Sequence, residues 1–510
     1  MKKLFVFLLL IAAFSSLKAQ PVNGVVVADS GYFKVIKVWG NHYERGYALG
    51  YLDGVRIRSI YDGYIKPGFG ASMASAKVII QQGIHVHIDS IFHWEAKGIG
   101  AGMAAAGVYV ADIDYLDLLV ANAFLDLRAF SYFMANSSSV GLGCSSLLDW
   151  GSATTGTDLN GHSVISRHLD WTTQAAIVNN QVMVIHFPSE PDEVPWLLIG
   201  FSGQISALSG ISSNKVAAFQ HMMSDVSPTA PYNKAFEPVW FSMRKGLEAD
   251  DFNSDGLDNT NDIRSALIAN TNGYSDGYIV TMLAPSTAGG DSLTGQIAEL
   301  ASAAPLLTFR SCCYNDSLQG ENIYAANSAI ARNNVHHYCS RYNSVIPEVG
   351  LGTGISSSLN WSIMRDFSNA GTGNIQFMQY IPEESILRLA VYHNGIPGYL
   401  NDSVQYNTDS LFSLPTVGIH ENNATANLNA SIYPNPASDR FTLSVSLNKS
   451  ETVMIQLFDS KGMMLESAVS AKLSAGVHAI EKDISKYSSG IYFCKVITAE
   501  GIRMMKLVKK

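Results

Sequence analysis

The residues best suited to chemistry in this sequence are the pair Gly143-Cys144 and two charged residues in the run that follows, Arg167 and Asp170. A thiolate, and not a thiol, attacks a carbonyl, so a catalytic cysteine needs a nearby base or a lowered pKa. Cleavage of the peptide bond before Cys144 would expose an α-amino group that can serve as this base. Gly143 has no side chain and permits the strained backbone that favours such a cleavage. In this interpretation Arg167 supplies positive charge near the sulfur, and Asp170 orients the new amino group.

The same residues also have a purely structural interpretation. A lone cysteine between Gly143 and Ser145 is commonly a small buried hydrophobe. Arg167 and Asp170 can form an ordinary ion pair on a strand. Residue types alone leave both interpretations open.

The sequence around the cysteine resembles a known group of hydrolases. The run GCSS at 143–146, followed by a hairpin and NGHSVISRHLDW at 160–171, resembles the acid ceramidase, N-acylethanolamine acid amidase and penicillin acyltransferase group. In those enzymes a cysteine precedes an element of glycine, hydrophobic residue, arginine, asparagine, any residue, aspartate and aromatic residue. The upstream run WGNHYERGYALGYLDG at 39–54 is similar to the opening of the acyltransferase-like members. The resemblance covers about residues 30–400.

The resemblance implies roles for individual residues. Cys144 is the implied nucleophile, with Arg167 and Asp170 in the roles given above. The tract that begins YAANSAIARNN looks like the later family segment bearing an asparagine and then an arginine. It implies that Asn327 lies in the oxyanion hole, where a side-chain N–H stabilises developing charge, and that Arg341 is a supporting site residue.

Two alternatives and two departures accompany this assignment. Asn333 and Asn334 are rivals to Asn327 for the oxyanion position. His168 stands where the family usually has asparagine, which alters a structural hydrogen bond, and the insert between the cysteine and the arginine is longer than usual. Neither departure removes a reacting group.

The reaction implied is covalent acyl transfer through a thioester, on an N-acyl amide whose acyl group passes to water or to an amine. No cofactor is expected for catalysis. Two other hypotheses remain. The protein could be a secreted binding protein that keeps the fold without the chemistry, or an ester-cleaving hydrolase of the phospholipase-B-like kind. Expected partners are a small N-acyl substrate and the secretion machinery discussed below, with no nucleic acid and no integral membrane segment.

A second motif predicts a structural calcium ion. The run DFNSDGLDNTND matches the oxygen-ligand spacing of an EF-hand-type loop, with Asp251, Asn253, Asp255 and Asp262 at positions one, three, five and twelve. Gly256 stands at position six, where such loops turn sharply. Aspartate at position twelve resembles the dockerin variant, whereas the aspartate at position eight departs from the pattern. The alternative is an acidic, turn-rich surface loop.

Composition sets outer bounds on these hypotheses. Of 510 residues, 47% are hydrophobic and 15% charged, which is typical of a globular chain that can bury a large core. The net charge of −9 and the lack of a basic stripe argue against a nucleic-acid surface. Five cysteines are an odd number, so at least one is expected to be free in an exported protein. If Cys144 is free, the remaining four cysteines allow one disulfide bridge, from Cys312 or Cys313 to Cys339.

The first residues predict export. Lys2 and Lys3 form a basic start, an apolar core follows, and the small residues up to Ala19 fit a signal-peptide cleavage site. The apolar core is too short to span a bilayer, and nothing later reaches that length.

We expect an α+β fold. The resemblance implies the four-layer αββα sandwich of N-terminal-nucleophile hydrolases, followed by a small Ig-like β-sandwich. The expected domains are a signal peptide at 1–20, an N-terminal pro-segment or α-chain at 21–143, a catalytic β-chain at 144–415, a linker at 416–430 and a sorting β-sandwich at 431–510.

Hydrophobic patterns predict the main elements. Strands are predicted at 25–40, 181–187, 195–201, 215–223, 374–380 and 386–394, a hairpin turn at Asn160-Gly161, and helices within 47–55, 72–135, 262–271 and 291–302. The linker is predicted from a short polar stretch that is poor in large apolar residues.

The last 80 residues resemble the sorting domain of type IX secretion substrates. The segments that carry the resemblance are SIYPNPASDRF at 431–441, SSGIYFCKV at 488–496 and MKLVKK at 505–510. They imply passage through the periplasm and outer membrane, and then release or surface attachment. The alternative is an ordinary β-sandwich binding module.

Overall fold

The structure is a computed structural model. It describes residues 20–130, 143–223, 233–286, 293–312, 314, 318–333, 335, 339–414, 429–459, 464–498 and 501–510. Nearly all of the predicted signal peptide and of the predicted linker lies outside these residues. The chain divides into two compact units, Met1–Leu414 and Pro415–Lys510.

The first unit mixes helices and strands. Its strands are β1 (Gly24–Asp29), β2 (Phe33–Gly40), β3 (Cys144–Asp149), β4 (Val164–Asp170), β5 (Gln181–Pro188), β6 (Trp196–Phe201), β7 (Ser209–Ser212), β8 (Ala217–Met222), β9 (Tyr278–Leu283), β10 (Gly295–Leu300), β11 (Leu307–Arg310), β12 (Asn322–Ala325), β13 (Asn374–Ile381), β14 (Ile386–Val391) and β15 (Val404–Asn407). Its helices are α1 (His42–Ile60), α2 (Lys66–Phe69), α3 (Met73–Gln82), α4 (Ser90–Ala105), α5 (Tyr115–Asn122), α6 (Phe124–Arg128), α7 (Ala175–Val178), α8 (Val239–Glu248), α9 (Thr260–Ala269), α10 (Ser340–Val349), α11 (Ser357–Phe367) and α12 (Thr408–Leu411).

These strands form two sheets in the described part of the chain. One has nine strands in the order β1-β2-β5-β6-β7-β8-β9-β10-β11, and the other has six in the order β12-β3-β4-β13-β14-β15. Neighbouring strands are antiparallel except β2 and β5, which are parallel with Phe33 opposite Gln181. The segment before Cys144 therefore contributes the edge strand β1 and its neighbour β2 to the larger sheet.

Alternating side chains of the larger sheet face two different apolar clusters. In β5, Val182 and Val184 pack into a cluster with the helices, including Leu49 of α1. Met183 lies in a second cluster, together with Met378 of the smaller sheet. This division follows from the two-residue period of a strand, which sends successive side chains to opposite faces.

The smaller sheet is covered on its other face by α10 and α11. Leu147 of β3 and Phe377 of β13 pack there against Tyr342 and Trp361 of the two helices. The strand that begins at Cys144 is thus buried on both faces.

Helices α1 and α4 approach closely through glycines. A Cβ on Gly46 would overlap the carbonyl oxygen of Glu95, and one on Gly98 would overlap that of Tyr43. The glycines of the ERGYALG run therefore have a packing role. The run opens with a capping box, in which the side chains of Asn41 and Glu44 satisfy main-chain N–H groups at the start of α1.

Most predicted elements of this unit are confirmed, and one is wrong. Asn160 and Gly161 have φ angles of 48° and 92°, as the predicted turn requires. The helix predicted at 291–302 is instead strand β10, whose neighbours are β9 and β11. Cys339 is a free thiol, so the predicted bridge to it is not formed.

The second unit consists of strands alone among the residues described. These are β16 (Asn429–Tyr433), β17 (Arg440–Leu447), β18 (Glu451–Phe458), β19 (Met464–Leu473), β20 (Gly476–Asp483), β21 (Gly490–Thr498) and β22 (Gly501–Lys509). They form a sheet in the order β16-β17-β20 and another in the order β19-β18-β21-β22. Residues of both sheets, such as Leu443 and Ile455, share one apolar cluster.

Candidate active site

Strands β3 and β4 place the predicted cysteine, arginine and aspartate together. Cys144 is the first residue of β3, and Asp170 is the last residue of β4. The antiparallel register sets Cys144 opposite Leu169, and Arg167 opposite Ser146. Paired residues of antiparallel strands point to the same face, so Arg167 and the cysteine approach each other there.

The thiol of Cys144 is buried and faces a guanidinium group. Nη2 of Arg167 lies 4.0 Å from its Sγ. Arg167 is fixed by two further hydrogen bonds, from Nη1 to Oγ of Ser209 at 3.1 Å and from Nη2 to the carbonyl oxygen of Gln220 at 2.8 Å. Burial raises the pKa of the Cys144 thiol, and the charge of Arg167 opposes this rise. Arg167 therefore lowers the free-energy cost of ionising the buried thiol.

The peptide bond between Gly143 and Cys144 is held on both sides. The carbonyl oxygen of Gly143 accepts a hydrogen bond from the main-chain N–H of Asp170 at 2.7 Å. The main-chain N–H of Cys144 donates to Oδ1 of Asn327 at 3.0 Å, and the carbonyl oxygen of Cys144 accepts from Nη1 of Arg341 at 2.9 Å. Four of the residues predicted for the site thus converge on the cysteine.

Asn327 presents its amide oxygen, and not its amide nitrogen, to the cysteine. Its Nδ2 donates to the carbonyl oxygen of Met222 at 2.6 Å. The oxyanion role implied for Asn327 stays a prediction. Of its rivals, Asn333 is exposed to solvent, and Asn334 lies outside the described residues.

The carboxylate of Asp170 is fixed from two directions. Oδ2 accepts from Nη2 of Arg341 at 2.6 Å, and Oδ1 accepts from Nδ2 of Asn374 at 2.9 Å. Asn374 also lies 3.0 Å from Nδ1 of His168, whose Nε2 lies 2.8 Å from the carbonyl oxygen of Met364. Burial lowers the pKa of His168 to about 4, so the ring is neutral at pH 7 and both its nitrogens are satisfied. His168, which stands where the resembled enzymes usually have asparagine, is therefore held by hydrogen-bond partners at both ring nitrogens.

Asn374 could not be found from the sequence. It carries no motif, and it reaches Asp170 only because β13 pairs with β4. Strand adjacency of this kind is a property of the folded sheet.

Three consecutive residues of β8 support the site. The carbonyl oxygen of Gln220 accepts a hydrogen bond from Arg167, and the carbonyl oxygen of Met222 accepts one from Asn327. Between them, Nε2 of His221 lies 2.9 Å from Oγ of Ser146, and its Nδ1 lies 3.2 Å from the carbonyl oxygen of Ala326. His221 is fully buried. Its role is therefore packing and positioning within the sheets.

The glycine before the cysteine is required by space. A Cβ on Gly143 would lie 2.6 Å from Nη2 of Arg341 and 2.8 Å from Oδ2 of Asp170. Such distances are shorter than van der Waals contact, so any larger residue would displace the ion pair beside the peptide bond.

An apolar cavity, open to solvent, begins beside the end of the strand that carries Asp170. Trp171, the next residue along the chain, lines the cavity together with Phe124, Phe201 and Trp240. Cys144 belongs to the same apolar cluster as three of them, Trp171, Phe201 and Trp240. The cavity suits a hydrophobic group much better than a charged one.

Three of the predicted calcium ligands lie in the loop before α9, and the fourth, Asp262, lies in the first turn of that helix. Oδ1 and Oδ2 of Asp251 accept from the main-chain N–H groups of Asp255 and Gly256 at 3.2 and 2.8 Å. Nδ2 of Asn253 donates to Oδ2 of Asp255, and Oδ1 of Asp262 accepts from the N–H of Phe252. The ligands are all oxygen donors, which is the chemistry that calcium prefers. Calcium binding stays a prediction.

The last residues of the chain match a known family. Residues 431–510 match the family described as "Secretion system C-terminal sorting domain". The protein is therefore delivered by type IX secretion to the cell surface or the extracellular space. Among the residues that the structure describes, no helix is long and apolar enough to cross a membrane.

Similarities elsewhere in the chain are low. No curated protein matches the sequence. Among solved structures, the Caenorhabditis elegans ortholog of N-acylethanolamine-hydrolyzing acid amidase aligns over 47% of this chain and 93% of its own, with 10% identity and a TM-score of 0.33. Dimeric latent PorU from Porphyromonas gingivalis aligns over 72% of this chain and 34% of its own, with 9% identity and a TM-score of 0.15.

Proposed function

We propose that this protein is a secreted, self-processing cysteine hydrolase of the N-terminal-nucleophile class. It cleaves or transfers the acyl group of an N-acyl amide through a thioester at Cys144. The observation that carries the proposal is the arrangement around one peptide bond. Arg167 faces the Cys144 sulfur at 4.0 Å, while Asn327 holds the Cys144 nitrogen at 3.0 Å.

Self-cleavage is the first step of the proposal. Sγ of Cys144 attacks the carbonyl carbon of Gly143, and negative charge develops on the carbonyl oxygen. The N–H of Asp170, 2.7 Å from that oxygen, stabilises the charge. The C–N bond then breaks, the proton of the thiol passes to the nitrogen, and water hydrolyses the thioester. The products are a carboxylate at Gly143 and an amine and a thiol at Cys144.

Turnover uses the groups that cleavage exposes. The α-amine of Cys144 takes the proton of the thiol, and Sγ attacks the amide carbonyl of the substrate. The amine passes that proton to the leaving nitrogen, and a thioester remains. Water releases the acid, or an acceptor amine takes the acyl group. Asp170, fixed by Arg341 and Asn374, orients the α-amine throughout.

The apolar cavity supports an N-acyl substrate with a hydrophobic acyl group. Trp171 on the cavity wall directly follows Asp170, so we infer that an acyl chain in the cavity extends toward the site. Burial of each methylene group would stabilise the complex by about 0.8 kcal/mol. This preference for apolar acyl groups does not choose between an amide and an ester.

We assign the two units of the chain to the folds that this function needs. The two sheets of the first unit, with helices on their outer faces, fit the four-layer αββα sandwich of N-terminal-nucleophile hydrolases. Cleavage would divide it into an α-chain ending at Gly143 and a β-chain beginning at Cys144. The second unit is assigned as an Ig-like sandwich that serves as the sorting domain.

The test of this function is a substrate comparison on the matured protein. N-acyl amides and phospholipids with matched acyl chains are incubated with the wild type and with the Cys144→Ala variant. We expect release of the acid from the amide by the wild type alone. Cleavage of the phospholipid in preference to the amide would favour an ester hydrolase, and no release from either would favour a binding protein.

A further inference from the structure

We propose that a buried cluster of charged side chains holds residues 20–143 to residues 144–414 after the chain is cut. This inference rests on the proposed self-cleavage. The members of this charge cluster are His42, Arg45, Glu95, Glu193, Arg244 and Glu248. Five of them are at most 5% exposed, and the side chain of Glu193 is 17% exposed.

Most ion pairs of the charge cluster cross the proposed cut. Arg45 of α1 lies 3.1 Å from Oε2 of Glu193 and 2.9 Å from Oε1 of Glu248. Oε2 of Glu95, in α4, forms an ion pair with Nη2 of Arg244 at 2.8 Å. His42 joins both parts, because its Nδ1 lies 2.8 Å from Glu95 and its Nε2 lies 3.0 Å from Glu193. The N-terminal part thus meets both the loop before β6 and helix α8.

Charges balance only when the two parts are together. With His42 protonated, the N-terminal part contributes two positive groups and Glu95, whereas the rest contributes Arg244 and two carboxylates. Each part alone would carry one uncompensated charge. Removal of one charge from the assembled cluster would leave its partner buried and unpaired, which is costly, so the association depends on the complete set.

Aromatic rings from both parts enclose the charge cluster. The guanidinium of Arg244 lies 4.7 Å from the ring centre of Phe92 and 5.0 Å from that of Trp196. Phe92 belongs to α4 and Trp196 to β6, on opposite sides of the cut. This enclosure excludes water and strengthens each ion pair.

A metal ion is a poor fit to the same residues, although His42, Glu193 and Glu248 are close enough to share one. Both nitrogens of His42 lie within 3.0 Å of carboxylate oxygens, and the ring protonated at both nitrogens offers no lone pair to a metal. Arg45 lies against both Glu193 and Glu248 and supplies the positive charge that a metal would bring.

The charge cluster makes the association depend on pH. Burial alone would lower the pKa of His42, but Glu193 and Glu95 outweigh burial and raise it to about 9, against the nearby charge of Arg244. Because the folded pKa exceeds the ordinary value of 6.5, this contribution is fully present below pH 6.5 and is lost as the pH rises through about 9. The neighbouring ring of His186 has its pKa lowered to about 3 by burial and stays neutral over this range. Glu190, a further charged group near His42, accepts a hydrogen bond from the main-chain N–H of His42 at 3.1 Å.

The test separates this inference from self-cleavage. A recognition sequence for a site-specific protease is inserted within 131–142 of the full-length Cys144→Ala protein, so that the protease makes the cut. Size-exclusion chromatography at increasing urea then gives the concentration at which the two parts separate, between pH 6 and pH 10. We expect that concentration to fall as the pH rises from about 6.5 to about 9. It should also be lowered at pH 7 by Glu193→Gln, with an increase in the dissociation constant of about 30-fold or more.

The matched control is Asp112→Asn, which makes the same chemical change. Asp112 pairs with Arg58, and both lie on the N-terminal side of the cut. His42→Gln should remove the pH dependence of the separation. If the His42→Gln protein does not fold, the comparison of Glu193→Gln with the wild type still tests the inference. Equal separation of Glu193→Gln and Asp112→Asn at every pH would overturn the inference. Release of the two parts by EDTA would overturn it in favour of a metal.

Discussion

The side-chain oxygen of Asn327 accepts a hydrogen bond from the main-chain nitrogen of Cys144 at 3.0 Å, although 183 positions separate the two residues in the sequence. The contact fixes the nitrogen that becomes the α-amine in the proposed cleavage. It needs only an acceptor, whereas an oxyanion hole needs a donor. The two roles of Asn327 can therefore be separated by mutation.

Asn327→Asp keeps the acceptor oxygen but loses the amide donor. We expect self-cleavage to slow less than amide turnover, which should fall by about 10²–10³-fold, as on removal of an oxyanion donor. Cleavage followed by mass spectrometry and turnover of an N-acyl amide measure the two effects. Asn327→Leu, which lacks both functions, should lose both activities. Equal effects of Asn327→Asp on cleavage and turnover would contradict the assignment.

Gly143→Ala tests the space beside the peptide bond. Its Cβ would approach Nη2 of Arg341 and Oδ2 of Asp170 to 2.6 and 2.8 Å, so the ion pair beside the peptide bond must shift. We expect self-cleavage to slow by about 10²-fold, the size of effect that a displacement of about 1 Å produces. The control is Gly100→Ala in α4, where no atom lies within 4 Å of the added carbon. It should cleave normally and gain about 0.5–1 kcal/mol in free energy of unfolding.

Arg167→Met should shift the pH dependence of self-cleavage. The positive charge of Arg167 opposes the effect of burial, which raises the pKa of the Cys144 thiol. Without that charge the thiol pKa rises further, so the thiolate forms only at higher pH. Each unit of that shift lowers the rate at a fixed pH below the pKa by about tenfold. A profile of cleavage rate against pH that did not move upward would show that the charge has no such role.

Phe201→Trp tests the apolar cavity as the acyl site. A larger ring would exclude methylene groups from the cavity, and each excluded group should lower kcat/KM by about fourfold, corresponding to about 0.8 kcal/mol. We expect long-chain N-acyl amides to lose activity and the N-acetyl analogue to be unaffected. An equal loss for both substrates would place the acyl chain elsewhere.

Calcium should stabilise the first unit if the loop before α9 binds it. At a calcium concentration of about 100 times Kd, the free energy of unfolding should rise by about 2.7 kcal/mol, which thermal unfolding with and without EGTA would detect. Asp255→Asn should remove the effect, whereas Asp409→Asn, at an exposed carboxylate outside the loop, should retain it. A wild-type Tm that does not respond to calcium would refute the prediction.

Local sequence patterns predicted part of the site because part of it is local. Cys144, Arg167 and Asp170 lie on two strands that are consecutive in the chain, and the Asn160-Gly161 pair marks a turn in the segment between them. The contacts of Asn374 and Gln220 depend on which strands become neighbours. No local pattern reports this adjacency.

The error at 291–302 has a similar origin. The segment contains good helix formers, yet Ile297, Ala298 and Leu300 are fully buried in a strand between β9 and β11. Packing in the sheet overrides the local preference. The charge cluster could not be predicted from the sequence either, because its members come from four separate segments of the chain that share no motif.

The central claim is that Cys144 becomes an N-terminal nucleophile, and the most direct test is the mass and N-terminal sequence of the purified protein beside its Cys144→Ala variant. We expect the wild type to yield a chain that begins at Cys144 and the variant to remain uncut at that bond. If the wild type also stays intact there, at mildly acidic and at neutral pH, the claim is contradicted. A secreted binding protein on the same fold would then be the better account.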